Sequence, residues 1–224
     1  MSKSIGLVVG LLCFFVSSTG FSIGLPKVPG IGNKDDAPAE AAGPSAAEAQ
    51  DALLSQFSSA LDNLLSAQAL LIKSGAVKGM SDAKAAELES ATGECKDKDC
   101  LEKKVALSSE LSEATEGMKE EELALTEEGK ALYRQALPKY AMGTLEMTQI
   151  VPVAKDWLKS ATDEIKSAGF RGAPKLKKQL DAGMYVAKNI PKLAKTFGSS
   201  TKRVIRVGKA NKIEAEGANE ADFG

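Results

Sequence analysis

Between Leu132 and Ile165 apolar side chains recur at every third or fourth residue and keep that step across two prolines. The positions are Leu132, Ala136, Tyr140, Gly143, Met147, Ile150, Ala154, Trp157, Ala161 and Ile165. A period near 3.6 marks a helix with one buried face. An interior proline removes a backbone donor and costs about 3 kcal/mol, so a chain built to turn at Pro138 or Pro152 has no reason to hold phase beyond it. The stretch predicts one long helix kinked at its prolines, or collinear helices sharing a face. Trp157 and Tyr140 lie on the stripe and read as core rather than as the wall of a ligand box.

Helical spacing continues on both sides. Leu54, Phe57, Leu61, Leu64 and Leu71, with Gln68 as one polar interruption, predict a helix from near Ser45 to Gly75. Ser81 can cap a short helix from Asp82 to about Ala91, and another runs from Cys100 through Leu101, Val105, Leu111 and Ala114 to Met118. Beyond Gly169 and Gly172, a fresh start at Pro174 carries Leu176, Leu180, Met184, Ala187, Ile190, Ala194 and Phe197. Ser199 or Ser200 then caps a last short helix. With 5% aromatic residues in a 43% apolar chain, Ala and Leu carry the pattern, which favours helix. The expected fold is all-α, an elongated bundle of about five or six helices over residues 45–213. Apolar-Pro-Lys recurs at Pro26, Pro138, Pro174 and Pro191 with irregular spacing, so no repeat is read.

The chain ahead of the bundle is of another kind. Lys3 precedes an apolar run from Ile5 to Val16, followed by small polar residues, so residues 1–22 read as a secretory signal peptide. No charge falls between Lys3 and Lys27, and an uncleaved span of that length could cross the roughly 30 Å core of a bilayer as an anchor. Leu12 ahead of Cys13 is bulkier than a lipoprotein cleavage site accepts. Residues 23–44 hold four of the eight prolines and read as a flexible linker, and the acidic tail 214–224 as disordered. Either leader reading puts the domain outside the cytoplasm, periplasmic or secreted. The absence of an N-x-S/T sequon fits a bacterial envelope.

With the leader removed, Cys95 and Cys100 are the remaining cysteines, and an even count in an exported chain is first read as a disulfide. Residues five apart on one unbroken helix point about 140° apart, with Cα atoms roughly 8 to 9 Å distant, too far to bridge. A bridge therefore needs a helix break, which Gly93 and a capping pair of Asp99 and Glu102 supply, with a new helix from about Cys100. A catalytic dithiol fits less well, because redox motifs usually place two residues between the cysteines. Zinc lacks ligands, and Glu94, Asp97, Asp99 and Glu102 lack calcium-loop spacing. The triplet at 120–122 reads as a solvated face. No metal and no cofactor are expected.

Histidine is absent, which removes the commonest general base, the Ser-His and Cys-His pairs and the commonest metal ligand. No G-x-S-x-G elbow or phosphate-cradling glycine loop occurs, so the chain reads as non-catalytic. Its 29 basic and 30 acidic residues balance overall but not locally. From Lys155 to Ile213 there are fifteen Lys and Arg against four Asp and Glu, whereas residues 23–154 hold thirteen against twenty-two. Acidic and basic helices can pack as complementary neighbours. Alternatively Lys175, Lys177, Lys178, Lys188, Lys192, Lys195, Lys202, Arg203 and Arg206 form a face for an anionic surface: lipid headgroups, envelope polysaccharide or an acidic protein. Nucleic acid is not expected, for want of aromatics to stack on bases.

Three functions follow from these readings. One is a non-catalytic binding or supporting protein of the cell envelope, in peripheral contact with its membrane or with an unknown protein. Another is a carrier, holding an apolar ligand in a cavity lined by Met147, Trp157 and Met184. The third is an enzyme that works without histidine.

Overall fold

The computed structural model describes residues 44–120, 123–213 and 220–223. The leader and linker readings concern residues outside this set. The described chain forms six helices: α1 (Ala46–Lys73), α2 (Asp82–Ser90), α3 (Lys98–Glu116), α4 (Glu127–Ser167), α5 (Gly169–Gln179) and α6 (Asp181–Ala210). A 3-10 turn, Glu220–Phe223, follows. Among the described residues there is no strand, and the fold is an all-α multi-helix bundle.

The start of α1 is fixed by a reciprocal cap. Ser45 Oγ accepts from the Glu48 backbone N–H at 3.3 Å, and the Ser45 N–H donates to the Glu48 carboxylate at 2.8 Å. That backbone donor holds the Glu48 carboxyl below the usual carboxylate range. Asp97 caps α3 through the Cys100 N–H at 2.9 Å, and Thr126 caps α4 through the Gly129 N–H at 3.0 Å. Ser81 precedes α2 but makes no such bond.

The stripe in α4 is one continuous helix of 41 residues with both prolines inside. At 1.5 Å per residue it is about 60 Å long. Apart from Leu132, which is half-buried while Tyr133 takes the first core position, every stripe residue is buried. Pro152 is exposed and Pro138 half-exposed. The carbonyls they leave without an in-helix donor belong to Thr148 and Arg134, also exposed residues, so water can serve them. The core stripe and the prolines occupy different faces, and the helix continues.

Four helices close a ring in the order α1, α4, α6, α3. Contacts along them set the directions. Ala46 meets Glu164 and Asn63 meets Glu146, so α4 runs antiparallel to α1. Thr144 faces Thr201 at 2.7 Å and Tyr133 donates to the Val204 carbonyl at 2.7 Å, so α4 is antiparallel to α6 as well. Lys104 reaches Asp62 and Gln68 reaches Ser108, which makes α3 parallel to α1. Close packing needs glycine at Gly143, where a Cβ would come within 2.8 Å of the Ala60 carbonyl oxygen. The core is Leu-rich along α1 and closes around Phe57, Tyr133, Tyr140 and Phe197.

Three boundaries differ from expectation. Helix α3 begins at Lys98 rather than at Cys100, because Asp97, not Asp99, provides the cap. Helix α5 begins at Gly169, whose φ of 63° lies in the left-handed region, and runs through Pro174. The break then falls at Leu180 and not at Ser199 or Ser200, since α6 passes through both serines. Ser200 and Thr201 hydroxyls donate back to carbonyls of their own helix, to Thr196 at 3.1 Å and Phe197 at 2.7 Å, so a Ser-Ser-Thr run is accommodated without a new cap. Part of the tail is also folded. Phe223 packs against the core, with Glu220 bound to Arg206.

Candidate functional site

The nine cations singled out from the sequence do not form one patch. Lys175, Lys177 and Lys178 are exposed on α5, and Lys188, Lys192 and Lys195 on α6. The α6 trio is spaced by four and three residues, which puts it on one helix face. Lys202, Arg203 and Arg206 lie further along, with Arg206 about 27 Å beyond Lys188 at 1.5 Å per residue. Arg203 pairs with Glu120 at 3.0 Å and Arg206 with Glu220. The Arg206 hydrogen bond holds the Glu220 carboxyl below its ordinary range, helped by the charges of Lys209 and Lys202. The far half of α6 thus follows the complementary-packing alternative. Lys98 with Asp181 adds another link between α3 and α6, at 3.4 Å.

Helix α5 differs from every other helix in the bundle. Its eleven residues include Arg171, Lys175, Lys177 and Lys178, no acid and no buried side chain. Ala173 and Leu176, half-buried, rest against the core. At 100° per residue the side of α5 turned from Ala173 and Leu176 reads, in order round the helix, Lys177, Phe170, Pro174, Lys178, Arg171 and Lys175, and all six are exposed. Phe170 is 97% exposed, twice the 48% of Met142, the other exposed large apolar residue among the described residues.

The base of α5 is tied down. Gln50, on α1, donates to the Gln179 carbonyl at 3.2 Å and accepts from the Gly183 N–H at 3.1 Å, bridging the α5–α6 joint. Leu180 within that joint is fully buried. Ala46 is held from both sides, its N–H by Glu164 at 2.6 Å and its carbonyl by the Trp157 indole at 2.9 Å. Trp157 lies against Gly183 with no space for a methyl group, and Met147 is fully buried, so these positions of the expected carrier cavity are filled by packing.

The cysteines occupy the turn between α2 and α3. Cys95 and Cys100 stand at bridging distance, with Cα atoms 5.8 Å apart, Cys95 in the loop and Cys100 in the first turn of α3. Cys95 is buried, and its N–H donates to Ser58 Oγ at 3.2 Å. Lys104, absent from the sequence-based candidates, reinforces the turn. Its buried ammonium donates to Asp62 at 2.6 Å, to Ser58 at 3.2 Å and to the Gly93 carbonyl. All three donors of a buried charge are thereby satisfied. An open cleft of about 580 Å³ runs past Thr92, Glu94, Cys95 and Lys103. Glu94 pairs with Lys96 and Glu102 with Lys98, while Asp97 caps α3. Among the described residues no three Cys, Asp or Glu side chains are grouped to hold a metal ion.

The fold and surface define a helical bundle with a basic helix capping one end. No protein family, curated protein or solved structure matches the chain.

Proposed function

We propose that this is an exported, non-catalytic protein that binds an anionic surface of the cell envelope through α5 and the adjoining half of α6. The observation that carries the reading is the charge of α5: four cations, no acid and no buried residue in eleven positions. Among the described residues Lys175, Lys177, Lys178, Lys188, Lys192 and Lys195 are exposed without an acidic partner, whereas Arg203 and Arg206 face Glu120 and Glu220. The contact surface is therefore the first six. Like charges held this close on a rigid scaffold repel one another, and an anionic surface relieves that repulsion while attracting the protein over a Debye length of about 8 Å at physiological salt. Export is supported by the leader-like residues 1–22 and by the cysteine pair at bridging distance. Among the described residues no helix is long and apolar enough to cross a membrane, so the contact proposed is peripheral.

Retention on an immobilised polyanion tests this. The wild type should bind at low salt and elute as salt rises, and a variant with Lys175, Lys177, Lys178 and Lys192 changed to Gln should elute much earlier. Equal elution of the two proteins would remove α5 from the contact.

A further inference from the structure

We propose that the anionic surface is a phospholipid bilayer and that Phe170 inserts into it, an inference that rests on the reading of α5 as the contact helix. An exposed apolar residue alone needs no explanation. Phe170 is different because of what surrounds it. Phe170 is 97% exposed and lies between Lys177 and Pro174 on the exposed arc of α5, with Lys178, Arg171 and Lys175 further round and the half-buried Ala173 and Leu176 on the side facing the bundle. Four cations can reach phosphates while the ring enters the boundary between headgroups and acyl chains, which is how an interfacial helix divides its contacts. The helix is short, and one aromatic side chain suits shallow insertion.

The geometry favours a fluid surface over an acidic protein or polysaccharide. The ring stands out from the end of the bundle, so a protein partner would have to offer a matching pocket, whereas lipid yields around it. A polysaccharide offers the cations their anions but gives the ring no apolar phase. The base of α5 is tied to α1, since Gln50 bridges Gln179 and Gly183.

The test uses vesicles of phosphatidylglycerol with phosphatidylcholine, and of phosphatidylcholine alone, with the wild type, Phe170→Ala and Phe170→Trp. Circular dichroism confirms that the variants remain folded. Phe170→Ala should weaken partition into anionic vesicles roughly ten- to a hundredfold, the range expected for loss of one buried phenyl ring. In Phe170→Trp, emission above the Trp157 background of the wild type should shift to the blue and be quenched by bromine on the lipid acyl chains. Unchanged partition of Phe170→Ala together with no quenching would overturn insertion, and salt-dependent retention on the polyanion matrix would show that the charge reading survives it. Retention on the matrix without binding to vesicles would overturn the bilayer in favour of an acidic polymer or protein. Loss of both would remove the contact surface itself.

Discussion

The indole of Trp157 lies so close to Gly183 that a Cβ on that glycine would stand 2.5 Å from the ring. This contact joins the C-terminal half of α4 to the first turn of α6, directly beneath the joint that holds α5. Two effects oppose each other when Gly183 becomes Ala. Glycine inside a helix costs about 1 kcal/mol against alanine, so propensity favours the change. The new methyl would also meet Gln50 Oε1 at 2.8 Å, and overpacking of this kind costs about 1–3 kcal/mol.

The clash should therefore win. Gly183→Ala is expected to lower the urea midpoint by an amount equivalent to about 1–2 kcal/mol. A rise in the midpoint would mean that Trp157 has room to move.

Tyr133 gives a prediction in alkali. Its phenol is fully buried and donates to the Val204 carbonyl at 2.7 Å, and burial pushes its ionisation well above the ordinary tyrosine range. The folded pKa is raised, so its stabilising effect is complete below the unfolded value of about 10 and is lost as pH climbs from there towards the folded value. Unfolding followed between pH 8 and 11 should show stability falling above about pH 10 in the wild type. Tyr133→Phe should be less stable by about 1 kcal/mol at neutral pH and show a shallower fall. Parallel profiles would assign the alkaline loss to another group.

Cys95 and Cys100 are expected to be oxidised in the mature protein. Peptide mapping without reductant should yield one linked peptide. Replacing both by Ser should cost about 2 kcal/mol, the loop-entropy value for so small a ring. Recovery of both as alkylatable thiols from the native compartment would leave the turn to Lys104 and Asp97.

The C-terminal turn is expected to depend on the Glu220–Arg206 pair. Glu220 binds Arg206 under the added influence of Lys209 and Lys202. Because the Glu220 pKa is depressed, its contribution is present above the unfolded value and is lost as pH falls through the lower folded one. Glu220→Gln, or acidification below the ordinary carboxylate range, should release Phe223, detectable by faster amide exchange over α6 near Gly198. Unchanged exchange would show that Phe223 packing alone keeps the turn in place.

Much of the architecture was legible because a helical stripe needs only local spacing. The phase kept through Pro138 and Pro152 identified α4, and the geometry of a five-residue cysteine separation placed a break ahead of α3. Breaks without a chemical mark were harder. Leu180 interrupts the chain at φ −94° and ψ 6° with no glycine, proline or capping side chain, and its apolar register runs unbroken into α6. The glycines at 169 and 172 favour a fresh helix start at Pro174, which concealed both the start of α5 at Gly169 and the exposed Phe170. Lys104 was illegible for another reason: a lysine on the core face of a helix is tolerable only when another helix supplies its acid. Here Asp62 does so from α1. Charge asymmetry was visible in the sequence, but which cations were already engaged depended on the tertiary partners Glu120 and Glu220.

Vesicle co-sedimentation tests the central claim most directly. Wild type and a variant with Lys175, Lys177, Lys178 and Lys188 changed to Gln would be compared on anionic and neutral vesicles at low and high salt. The account predicts that the wild type pellets with anionic vesicles at low salt, that high salt releases it, and that the variant stays in solution. Each lysine near such a surface contributes on the order of 1 kcal/mol, so four should shift the bound fraction decisively. Equal pelleting across lipids, salts and proteins would contradict it and leave the lysines of α5 and the adjoining half of α6 as a solvated face.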